Sequence, residues 1–150
     1  MKRVVVFIVV SMLLFLVGCG TTPIVEKEES LMNIYNDENM SVDFIKITDS
    51  IVAGNFELYI KVQNKTDKAV TVYLQDVSIN GSMVQVGSGV PCDIIAGANR
   101  THGFFGRLDL AGVSSADDVE KITFKIWLVD EDFNTIVTTA DLEVLNKSGQ

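Results

Sequence analysis

Histidine occurs once in this chain of 150 residues, as His102, and that scarcity narrows the available chemistry. A metal site built on one imidazole would draw its other ligands from carboxylates, and a serine–histidine–aspartate triad would need His102 as its base. No G-x-S-x-G elbow is present to place a nucleophile, and no glycine-rich loop runs into a lysine and a helix start to cradle phosphate. The nearest candidate, "GSGVP" at 87–91, ends in Pro91. Basic clusters are missing too. The formal charge is −8, and taking away Lys2 and Arg3 with residues 1–18 leaves 10 basic against 20 acidic residues, a net of −10. That balance argues against nucleic-acid binding, which depends on grouped Lys and Arg, and against attachment to anionic lipid through a basic surface.

What the chain does have is an asymmetric start. Lys2-Arg3 is followed by the 14-residue run Val4–Val17, which is shorter than the roughly 20 apolar residues that span a bilayer. A charged start, a short apolar core and small residues at its end form the pattern of a secretory signal peptide. The run closes on Leu16-Val17-Gly18-Cys19. This resembles the lipobox of bacterial lipoproteins. The resemblance implies cleavage between Gly18 and Cys19, a diacylglycerol thioether on the Cys19 thiol, and an N-acyl group on the amine that cleavage exposes. The expected location is extracytoplasmic, attached to the membrane through that lipid, and no other cofactor is expected. An ordinary secretory signal that happens to contain a cysteine is the alternative.

With Cys19 acylated, Cys92 has no partner for an internal disulfide. It reads as a small buried hydrophobe, since no cation stands beside it in "GVPCDII" to favour the thiolate. Residues 19–39, rich in Glu, Asp and Asn, read as a flexible acidic linker. Twenty such residues average about 25 Å end to end and extend to about 70 Å.

From Met40 the pattern has a period of two. In "NFELYIKVQ", Phe56, Leu58, Ile60 and Val62 alternate with Glu57, Tyr59, Lys61 and Gln63, as a strand with one buried face requires. "AVTVYLQD" and "KITFKIWLV" repeat the alternation, and "MSVDFIKIT", "RTHGFFGRL" and "TIVTTADLEVL" do so more weakly. Asn80-Gly81 marks a two-residue hairpin that pairs Ile79 with Ser82 and Val77 with Val84. "DLAGVSSADDVEK" offers a helical turn or two, with Ser114 or Ser115 as N-cap. About seven or eight strands at this spacing predict an all-β, Ig-like antiparallel sandwich over 40–147, with a tail at 148–150; a closed barrel is the alternative. The stretches "LYIKVQNKTDKAVTVYLQDVSING" and "ITFKIWLVDED" resemble the Ig-like extracellular domains of unknown function in Gram-positive lipoproteins. They are also similar, more remotely, to secreted immunoprotective-antigen sandwiches.

Catalytic and metal candidates are few. "DEDFN", Asp130 to Asn134, offers oxygen ligands but lacks EF-hand spacing, so a solvated turn is the simpler reading and no metal is expected. A direct hairpin between 56–63 and 69–76 would set Tyr59 opposite Tyr73, and with Trp127 these aromatics form the candidate binding surface. Were the two segments to lie in different sheets, that pair would dissolve. Together these readings predict a non-enzymatic binding module of the cell envelope whose partner is a protein or an envelope component. The alternative is a small hydrolase or metal-dependent accessory enzyme using His102 and acidic loop residues, and a third reading is a structural spacer.

Overall fold

The computed structural model describes residues 31–87 and 89–146. Gly18, Cys19, the signal segment and the tail therefore lie outside the described residues. Alternation decides the sheets: β3 (Asn55–Asn64) buries Phe56, Leu58, Ile60 and Val62 completely, while Glu57, Tyr59 and Lys61 stay half-exposed on the other face.

Five strands make the first sheet, in the order β1 (Met32–Asn36), β2 (Met40–Asp49), β3, β8 (Asn99–Arg107) and β6 (Val86–Gly87). In the second, β9 (Lys121–Val129) pairs with β4 (Val70–Ile79) on one edge, and with β10 (Thr135–Thr138) and β11 (Leu142–Leu145) on the other. Two short strands, β5 (Ser82–Met83) and β7 (Cys92–Ile94), pair with the free edge of β4. Every pairing is antiparallel.

The chain crosses from β3 to β4, returns to pair β8 with β3, and crosses again to pair β9 with β4. This interlocking of two strand pairs, with β2 outside β3 and β10 and β11 outside β9, is the Ig-like sandwich arrangement. The barrel alternative is thereby excluded. Among the described residues, eight strands of four residues or more match the expected number, and β5, β6 and β7 add short edges.

The domain begins earlier than its sequence boundary. Residues 32–36, read as linker, form β1, paired with β2 from Met32↔Phe44 to Asn36↔Ser41. The Asp37 carboxylate accepts the backbone N–H of Asn39 and Met40, both at 2.8 Å, and so closes the turn between the two strands. Only Ile34 and Tyr35 pack against the core from this strand, too few to produce a visible alternation.

Local signals elsewhere perform as expected. Asn80 and Gly81 have φ of 50° and 87°, and Val84 N–H donates to Val77 O at 2.9 Å, closing the Asn-Gly hairpin. Ser115 caps a 3-10 turn at Ala116–Asp118 by accepting the Asp117 N–H at 3.2 Å. A bulge after Gln75, with Asp76 at φ 51°, shifts the phase of β4 so that Val77 and Ile79 also point into the core.

Candidate functional site

The three aromatics chosen from the sequence do not form one surface. Because β3 and β4 belong to different sheets, Tyr59 lies on the outer face of the first and Tyr73 on the outer face of the second. The Tyr59–Tyr73 hairpin pair is accordingly replaced by two separate arrangements. Tyr73 is the register partner of Trp127; their rings are 5.3 Å apart at 37°, and the indole Nε1 donates to Thr135 Oγ1 at 2.9 Å. Tyr59 lies beside Gly103, its hydroxyl donates to Glu57, and the Lys46 ammonium sits 5.6 Å from its ring centroid. Hydrogen bonding to the Glu57 carboxylate, with burial second, raises the Tyr59 pKa above its ordinary value.

His102 occupies the inner face of β8, opposite Ile60. Its ring meets Phe104 edge-on at 4.8 Å and is hydrogen-bonded to the Val90 backbone. Its Nε2 is buried and is the one such side-chain nitrogen or oxygen without a partner among the described residues. Burial, reinforced by the Arg100 charge, lowers the His102 pKa, against the Val90 hydrogen bond and the Asp93 charge. Cys92 is fully buried, and burial pushes its thiol up to about 11. A thiol held in that range is protonated at neutral pH and is a poor nucleophile.

The "DEDFN" loop is occupied by its own backbone. Asp130 Oδ1 accepts the N–H of Asp132 at 3.0 Å and of Asn134 at 2.9 Å, while Phe133 takes φ 61° at the turn. Hydrogen bonds from Asn134 keep the Asp130 pKa below the usual carboxylate value. Among the described residues no group of three or more His, Cys, Asp or Glu side chains is arranged to hold a metal ion.

A depression of about 290 Å³ on the outer face of the first sheet escaped the sequence reading. Its lining includes Asn55, Gln85, Gly87, Phe105 and Arg107, supplied by β3, β6 and β8 and the residue preceding β6. The register Gly87↔Phe105 and Asn55↔Arg107 brings them together. Phe105 is 40% exposed, and Arg107 is held by Asp109 through bonds of 3.0 and 2.5 Å. The only local signal is "GFFG" at 103–106, two aromatics between glycines.

No family model matches the chain, and comparison with curated proteins gives no match. Among solved structures, the GAE domain of GGA2p from Saccharomyces cerevisiae aligns with 80% of this chain and all of its own length, at 7% identity and TM-score 0.49. The yeast GGA1 GAE domain aligns with 75% of this chain and 96% of its own, at 9% identity and 0.46. A FixG-related protein from Vibrio parahaemolyticus covers 75% of this chain and 99% of its own, at 16% identity and 0.41. The assignment of the fold rests on the strand pairing described above.

Proposed function

We propose that this protein is a lipid-anchored, extracytoplasmic binding module of the cell envelope without enzymatic activity. The observation that carries the reading is the ordered series of Lys2-Arg3, the apolar run and Leu16-Val17-Gly18-Cys19, followed by a sandwich whose first strand begins at Met32. On this reading the linker expected over 19–39 gives way to the domain at Met32, where β1 begins. Two acyl chains on Cys19 supply stable anchoring, because each buried CH₂ contributes about 0.8 kcal/mol and a single chain binds only marginally.

Binding is favoured over catalysis by the surroundings of His102. Its ring contacts are Phe104 and the Val90 backbone, with no nucleophile among them. The aromatic surfaces on both sheet faces are of the kind that contributes to recognition.

Substitution Cys19→Ala is expected to release the protein from the membrane fraction or to leave it unprocessed. Metabolic labelling with a fatty acid, followed by fractionation, checks this. Absence of label on the wild type, together with unchanged membrane retention of the variant, would refute the anchor.

A further inference from the structure

Gly87 is a glycine without a backbone or packing requirement. Its φ lies outside the left-handed range, and a β-carbon built there meets nothing within 4 Å. Its neighbour across the depression, Gly106, is the opposite case, because a β-carbon there would lie 2.5 Å from the Phe56 ring. Gly106 is demanded by the core, whereas the missing side chain at Gly87 leaves open space beside Phe105. A β-carbon built at Gly89 would lie 3.9 Å from Phe105 Cε2 of the same ring, an ordinary contact, and Gly89 also has no left-handed φ.

Around that open aromatic face the chemistry is hydrogen-bonding and charge-neutral. Among the described residues, the Asn55 and Gln85 side-chain amides have no hydrogen-bond partner, so both are available to donate and accept. The Arg107 guanidinium is matched by Asp109, and the chain as a whole is acidic, so nothing favours a free anion.

We propose that this depression binds a neutral sugar unit, its apolar C–H face stacked on Phe105 and its hydroxyls bonded to Asn55, Gln85 and the edge of the Arg107–Asp109 pair. The volume, about 290 Å³, sits at the small end of ligand sites and suits a single ring of a longer chain. This deepens the binding reading above, on which the choice of an envelope saccharide rests.

The test is titration of the full-length protein with tetramers of N-acetylglucosamine, cellotetraose and maltotetraose, read by saturation-transfer NMR, with inorganic phosphate and glycerol phosphate as anionic probes. At least one neutral tetramer is expected to bind saturably with Kd of about 1 mM, as a shallow one-ring site gives. Both Phe105→Ala, which removes the platform, and Gly87→Val, which fills the space, should weaken it at least tenfold. A β-carbon at Gly87 meets nothing within 4 Å, so Gly87→Val, or Gly87→Ala where the larger residue unfolds the domain, keeps the test decisive even where Phe105→Ala unfolds. Failure of all three tetramers to bind, retention of affinity in either folded variant, or saturable binding of the anions alone would overturn the proposal. Neither arm involves Cys19, so failure here leaves the membrane-retention result standing, and failure there leaves the sugar titration standing.

Discussion

Asn64 has no exposed surface, yet its side chain holds together three parts of the backbone. Its amide nitrogen faces the carbonyls of Lys68 at 2.7 Å, Ile94 at 3.1 Å and Ile95 at 3.2 Å, and its Oδ1 accepts from Thr66 N at 2.9 Å. The "NKT" that looks like an ordinary turn is the clamp where the chain passes between sheets. Replacing Asn64 with Ala strands buried carbonyls, each worth about 1–3 kcal/mol, and a total loss of about 2–3 kcal/mol is expected in urea unfolding. His102 makes a pH-dependent contribution. Its folded pKa lies below the ordinary 6.5, so the unfolded chain takes up its proton first and stability falls as pH drops below that value. The charged groups acting on it are Arg100 on its own strand and Asp93 on β7. His102→Leu should flatten this part of the profile, measured as unfolding temperature between pH 7.5 and pH 5.

At the scale of elements, the contact between β6 and β8 depends on what is absent from Gly106. Gly106→Ala would force the buried Phe56 ring or the strand to move, an overpacking cost of about 1–3 kcal/mol visible as a lower unfolding temperature. Elements buried on one face were readable from sequence. β9 coincides with "KITFKIWLV" because four fully buried residues alternate with four more exposed ones before Val129, and the Asn80-Gly81 hairpin needed only its turn chemistry. β1 was not readable, since an edge strand with two packed residues carries little periodic signal. The five residues between β3 and β4 suit a hairpin or a crossover equally in length, and local pattern cannot choose. That ambiguity is why Tyr59 and Tyr73 were paired, whereas the register belongs to Tyr73 and Trp127.

For the whole molecule, the legible part of the site was what local chemistry specifies. The "DEDFN" turn and the buried Cys92 follow from their own neighbours. The depression at Phe105 required β6 to meet β8 across 19 residues of sequence, through the register Gly87↔Phe105 and Val86↔Gly106, and no period or motif encodes that meeting. The same non-local design has a mechanical side. The interlocked pairs β3–β8 and β4–β9 enclose the core, while β1 ends the first sheet and pairs with β2 alone in the strand order. Tension applied from the N-terminal side enters the described domain at β1. Peeling it away releases Met32–Asn39, about 27 Å of extended chain, before either interlocked pair is disturbed. Force spectroscopy pulling from the N-terminal side should record an early extension step of about that length ahead of global unfolding. The first strand would then act as a reel, lengthening the reach of the domain under load and rewinding when the load is gone.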